Sequence, residues 1–159
     1  MPFLDLLSAE HVCTNIVAAD KPQLLDKLAA MLARDGAEQP SIAAALKERE
    51  MLGSTGLGHG VAIPHGRIDS LDKPRVALVR LARPLDFGSI DGQPVDLVAA
   101  MVVPEQNTDL HLQLLAELAE FFSHKEVVKA LREAADGSAL RAELAEFSRN
   151  RLKDATWTD

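Results

Sequence analysis

The sequence predicts an α/β fold, a central mixed β-sheet flanked by helices in a single domain. Three observations carry this. Short β-branched runs alternate with stretches of helical periodicity, and the helices gather toward the C-terminus. The length, 159 residues of which 47% are hydrophobic, suits one domain with a sizeable core.

The elements follow in chain order. His11 to Ala18 carries Val12, Thr14, Ile16 and Val17 and reads as a first strand. Asp20 is placed as an N-cap, with Lys21 and Pro22 at early helical positions. Leu24, Leu25, Leu28, Met31 and Leu32 then give that helix one apolar face, and Gly36 closes it. Pro40 and Ser41 open a second helix that runs to Leu52 and stops at Gly53.

Residues 53–60 hold four glycines in eight positions and are expected to form a loop. Val61 to Ile63 reads as a short strand ended by Pro64-His65-Gly66, and Arg75 to Ala82 as a longer one. Pro84 to Pro94 is a connector containing the turn signal Asp91-Gly92. Val95 to Val103 is almost wholly apolar, as a strand buried on both faces must be. Asn107, Thr108 or Asp109 caps a helix from Leu110 to Ser123. Helices over 125–135 and 138–147 follow, and the polar residues 148–159 are expected to form a loose tail.

Composition excludes several function classes. Lys plus Arg number 17 against 24 Asp plus Glu, a net charge of -7, which disfavours nucleic acid and anionic membrane surfaces. Aromatic content is 4% with no Tyr, so stacking platforms for single strands are missing. The lone Cys13 cannot form an intramolecular disulfide, which suits a reducing compartment. No apolar run approaches the roughly 18 residues of a membrane span, and the N-terminus does not read as a signal peptide. The expectation is a cytoplasmic protein without membrane insertion.

The candidate chemistry centres on the glycine-rich segment. It is neither a P-loop nor a dinucleotide fingerprint, because Gly56, Gly58 and Gly60 give G-x-G-x-G and a strand follows. No cofactor is expected. His65 sits between Pro64, which fixes one backbone angle, and Gly66, which leaves its N–H open to approach. Arg49 continues the stripe of Ile42, Ala45 and Leu46 by a step of seven, whereas Lys47, Glu48 and Glu50 fall on other faces. His111 lies on the apolar face of Leu114, Leu115, Leu118 and Phe122, in a helix's first turn, where the dipole favours a neutral ring and a nearby anion.

Singly, each has an ordinary structural explanation. Arg49 can snorkel to water, and His111 can be a satisfied core histidine. Together they suggest one anion pocket. A neutral imidazole is a good nucleophile toward phosphorus, and transfer to it needs donors for the equatorial oxygens. No Asp or Glu occurs from Gly53 to Arg67 to repel a phosphoryl group. With no nucleotide motif, the expected donor is a phosphorylated protein.

Residues 49–67, Arg-Glu-Met-Leu-Gly-Ser-Thr-Gly-Leu-Gly-His-Gly-Val-Ala-Ile-Pro-His-Gly-Arg, resemble the active-site signature of bacterial phosphoenolpyruvate-dependent phosphotransferase system enzyme IIA domains. The resemblance is to the mannitol/fructose/nitrogen-regulatory class. It continues through Phe87 to Leu97, Val103-Pro104 and His111-Leu112, and covers about residues 4–147, leaving 148–159 as a tail. It implies that His65 accepts a phosphoryl group through Nε2 from a phosphorylated HPr-like carrier, forming a phosphohistidine. His111 is then the second, phosphoryl-stabilising histidine, and Arg49 and Gly66 are phosphoryl-binding. His59 is a rim residue where relatives often carry Asn, and Arg67 is expected to be a solvated surface arginine.

The chain is most similar to the nitrogen-regulatory branch. That branch implies regulation of target proteins, including potassium-transport and sensor proteins, by phosphorylation state. One alternative is a sugar-specific (fructose or mannitol) IIA passing phosphate to a IIB domain. Another is a metal-dependent hydrolase using His59, His65 and His111. A third is an interaction module without covalent chemistry. No bound metal is expected in the relay reading. His11 and His124 read as structural.

Overall fold

The computed structural model describes residues 2–157, and the side chains of residues 3–149. A single helical turn α1 (Pro2–Asp5) and a 3-10 turn (Ala9–His11) precede strand β1 (Val12–Ile16). Helices α2 (Lys21–Leu32) and α3 (Gln39–Met51) follow. Next come β2 (Gly56–Gly58), β3 (Val61–Ala62), β4 (His65–Ile68), β5 (Arg75–Leu85) and β6 (Val95–Pro104). Helices α4 (Thr108–Ser123), α5 (Lys125–Glu133) and α6 (Gly137–Trp157) end the described chain.

The sheet has six strands in the order β1-β5-β6-β3-β2, with β4 also paired to β6. It is mixed, as the sequence predicts: β1 runs parallel to β5, β5 antiparallel to β6, and both β3 and β4 parallel to β6. Strands β3 and β4 occupy successive stretches of one lane along β6, opposite Leu97–Val98 and Met101–Pro104 respectively.

Alternation along β6 divides the interior into two cores. Leu97, Ala99, Met101 and Val103 face Leu114, Leu118, Phe121, Leu131 and Leu140 from the C-terminal helices. Val98, Ala100 and Val102 face Leu24, Leu28, Ile42 and Leu46 from α2 and α3. Asp20 caps α2 by accepting from the Gln23 N–H, and Asn107 caps α4 by accepting from the Leu110 N–H. Between α2 and α3, buried Arg75 donates to the Leu32 carbonyl (2.8 Å) and to both carboxylate oxygens of Glu38 (3.0 Å each). That guanidinium holds the Glu38 carboxyl down at about 2.

Three local expectations are corrected. The glycine-rich segment is partly a hairpin, with β2 antiparallel to β3, because glycine permits the left-handed backbone at Gly58 (φ 92°) and Gly60 (φ 80°) that turns the chain. His65 opens a strand, where the sequence suggested the end of one, since its backbone finds partners along β6. The C-terminal helix continues past Phe147 to Trp157, so residues 148–157 are helical where a loose tail is expected; residues 158–159 lie outside the described part. Among the described residues no helix is long and apolar enough to cross a membrane.

Candidate functional site

β4 positions the first group. His65 pairs in register with Met101, and the Met101 N–H donates to the Pro64 carbonyl (2.9 Å), fixing the strand's entry. The His65 side chain is buried, and its Nδ1 lies 2.8 Å from the Ile63 carbonyl oxygen. A carbonyl only accepts, so Nδ1 carries the proton and Nε2 presents its lone pair. Burial, followed by the cations Arg49 and Arg67, depresses the His65 pKa, against the opposing pull of the Ile63 carbonyl. The ring is therefore neutral at pH 7.

Gly66 follows, packed closely against α3. A Cβ there would stand 2.9 Å from the Ala45 Cβ and 3.1–3.2 Å from the Ala45 backbone, so its absence lets α3 lie directly on β4. That contact brings Arg49, in the last turn of α3, to the same end of the sheet; its Nη1 donates to the Gly53 carbonyl (3.0 Å).

The first turn of α4 places His111 with its ring centroid 5.2 Å from that of His65, at 70°. Its Nδ1 accepts from Arg67 Nε at 2.9 Å. An arginine can only donate, so the neutral His111 ring carries its proton on Nε2. That Nε2 is buried without a hydrogen-bond partner. It is a donor held ready beside His65. Burial first, then the electrostatic effects of His65, Arg67 and Arg49, hold the His111 pKa at about 4, so this ring too is neutral at pH 7.

The fold thus brings His65, His111 and Arg49 together. Two participants escaped the sequence reading. Arg67 is exposed as expected, yet it binds His111 and is not merely solvated. Its position two residues after His65 puts both side chains on one side of a strand, a signal hidden by ending the strand at His65. Glu50 is the buried charge of α3, against the expectation that it falls on another face. Steps of four from Ile42 through Leu46 reach it.

Glu50 accepts from Lys21 Nζ (2.9 Å), the Thr55 N–H (3.0 Å) and the Thr55 hydroxyl (2.6 Å). Lys21 and Ser54 both donate to the Phe87 carbonyl. The start of the glycine segment is thereby tied to α2 and α3, and the nearby carboxylate is neutralised.

His59 does not join the cluster. It sits exposed at the hairpin tip with φ 56°, its N–H bound to Asp91 and its carbonyl to Arg132. Among the described residues no group of three or more His, Cys, Asp or Glu side chains is arranged to hold a metal ion, so the three-histidine metal site fails on geometry.

Comparison with known proteins bears on the family and the fold. The profile of the family described as "Phosphoenolpyruvate-dependent sugar phosphotransferase system, EIIA 2" matches residues 5–147. A "Nitrogen regulatory protein" of Bradyrhizobium diazoefficiens is 40% identical over 91% of this chain and 95% of its own. The "PTS system fructose-specific EIIABC component" of Bacillus subtilis is 31% identical over 88% of this chain, which spans 22% of that larger protein. The crystal structure of nitrogen regulatory protein IIA-Ntr from Neisseria meningitidis superposes with a TM-score of 0.84 at 34% identity, covering 91% of this chain and 99% of that one.

Proposed function

The chain belongs to the EIIA 2 family of the phosphoenolpyruvate-dependent sugar phosphotransferase system, and from that membership we propose that it is a phosphocarrier whose acceptor atom is His65 Nε2. The donor is a phosphorylated HPr-like carrier protein in the cytoplasm. Nε2 attacks phosphorus in line as the carrier's P–N bond breaks. The carrier's imidazole leaves with the bonding pair, and the phosphoryl group ends on His65.

The observation that carries this reading is the pairing of two oppositely oriented neutral imidazoles. The Ile63 carbonyl turns a lone pair outward on His65, and Arg67 turns an N–H outward on His111. The first suits a nucleophile, and the second suits a donor to a phosphoryl oxygen. Arg49 supplies a second donor, this one cationic, and Gly66 permits the contact of α3 that brings it to the two histidines. Exposed Met51 and Leu52 adjoin Arg49, and exposed Leu112 adjoins His111, giving the carrier an apolar landing surface.

The nitrogen-regulatory branch is the preferred assignment, in which the phosphorylation state of His65 regulates target proteins by binding. The nitrogen regulatory relatives, similar over nearly their whole length, support it. The likeness to the fructose-specific component supports a second reading, transfer onward to a IIB domain.

Intact mass measured after incubation with phosphoenolpyruvate, enzyme I and HPr-like carriers tests both. One acid-labile phosphoryl adduct is expected, absent in His65→Ala and formed about a hundredfold more slowly in His111→Ala, as for loss of one preorganised donor. The fastest carrier identifies the branch. No adduct with any carrier refutes the proposal.

A further inference from the structure

A groove of about 730 Å³ opens between α4, α5 and the β2–β3 hairpin, and none of His65, His111, Arg49 or Arg67 lines it. Its volume lies within the range of small-molecule sites, roughly 300–1,000 Å³. Leu57, Val61, Phe122 and Val128 form its apolar wall, and Lys125 and Lys129 stand on its rim.

Two features decide what fits. The first is charge. In a chain of net charge -7, the groove is lined by Lys125, Lys129 and Arg132 against the single carboxylate of Glu133. Arg132 is committed to Asp96 and to the His59 carbonyl through Nε and Nη2. Lys129 forms only a loose surface pair with Glu133 (3.9 Å), and Lys125 has no ion pair among the described residues. Two lysines are thus available to an incoming anion.

The second feature is depth. Val61, Val128 and Phe122 are 2%, 6% and 9% exposed, so the apolar wall is recessed. A flat protein surface needs protruding apolar anchors. Of the protruding apolar side chains, Leu57 (46% exposed) lines the groove, whereas Met51, Leu52, Ile90 and Leu112 do not.

We propose that the groove binds a small amphipathic anion, its apolar body against Val61, Phe122 and Val128 and its charged head at Lys125 and Lys129. The readout is independent of phosphoryl transfer, so this proposal and the phosphocarrier reading stand or fall separately.

The test uses the full-length ¹⁵N-labelled chain titrated with decanoate below its micelle concentration. Saturable amide shifts are expected at Leu57, Val61 and Val128. Decanol and decyltrimethylammonium are expected to bind at least tenfold more weakly, because one lacks the charge and the other reverses it. The double substitution Lys125→Glu/Lys129→Glu, on exposed positions, is expected to weaken decanoate binding at least tenfold. Ala119→Trp, which fills the groove from an exposed position of α4, is expected to abolish the shifts.

Absence of saturation, an equal response to the cationic amphiphile, or binding unchanged by either variant overturns the proposal. So does a glutamate-rich amphipathic peptide that saturates these amides where decanoate does not, since the occupant is then a protein segment.

Discussion

Replacing Arg67 by Met keeps the apolar stem and removes the donor to His111 Nδ1. The bond is 2.9 Å long and charge-assisted. Such bonds contribute about 1.5–3 kcal/mol when buried. Arg67 is exposed, and solvent screening brings the figure to about 1 kcal/mol. That amount favours the Nε2–H form of the neutral His111 ring about fivefold; without it an even mixture leaves about half of the rings with the donor in place, and phosphoryl acceptance is expected to slow about twofold. Long-range ¹H–¹⁵N correlation at pH 7 reads the tautomer directly. The parent protein is expected to show an unprotonated Nδ1 and a protonated Nε2 on His111, with the reverse on His65. Arg67→Met is expected to give a tautomer mixture at His111 and a pKa above about 4, because a nearby cation is gone. A parent His111 protonated on Nδ1, or a variant with unchanged tautomer, refutes the reasoning.

Three further outcomes are expected. His111 has a folded pKa of about 4 against 6.5 unfolded, so the folded state binds fewer protons and stability is lost as pH falls from about 6.5 to about 4. The full shift corresponds to about 3 kcal/mol, trimmed by solvent to about 2; urea titrations of the parent and His111→Gln at pH 7 and pH 4.5 measure it, and parallel losses contradict it. Glu50→Ala removes the counter-charge of Lys21 and the acceptor of both Thr55 donors and is expected to cost about 3 kcal/mol, a Tm lower by about 6–12 °C in calorimetry, with Glu50→Gln closer to the parent. Gly66→Ala forces a methyl group onto Ala45 and is expected to cost about 1–3 kcal/mol, whereas adding Ala45→Gly recovers about 1 kcal/mol in a double-mutant cycle; strictly additive effects contradict the contact.

Periodicity revealed most of the frame. The apolar run of β6 was legible as a strand buried on both faces because its alternate residues serve two cores, and from Leu97 to Val103 no polar position interrupts it. The leucines of α2 declared their buried face in the same way, though Met31 is only half-buried and Ala29 takes a core position. What stayed hidden depended on contacts distant in sequence. Residues 56–58 and 65–68 are too short and glycine-rich to show strand periodicity, and only their partners on β3 and β6 make them strands. The Arg67–His111 bond joins residues 44 apart, and Glu50 meets Lys21 across 29. The cluster of His65, His111 and Arg49 could be suspected from polar residues on apolar faces, but the proton positions needed the carbonyl of Ile63 and the guanidinium of Arg67 in place.

The seating of His65 on a paired strand has a kinetic consequence. Catalytic side chains on mobile loops must find their reactive pose after each encounter. His65 rides on a strand locked to β6 from Met101 to Pro104, so its search ends when the chain folds. In the proposed phosphocarrier, the rate is then expected to depend on how often a partner arrives correctly turned, with the reorganisation left to the visitor. A fixed target of this kind can be used by differently shaped partners, provided each brings its own reactive group to the same point in space.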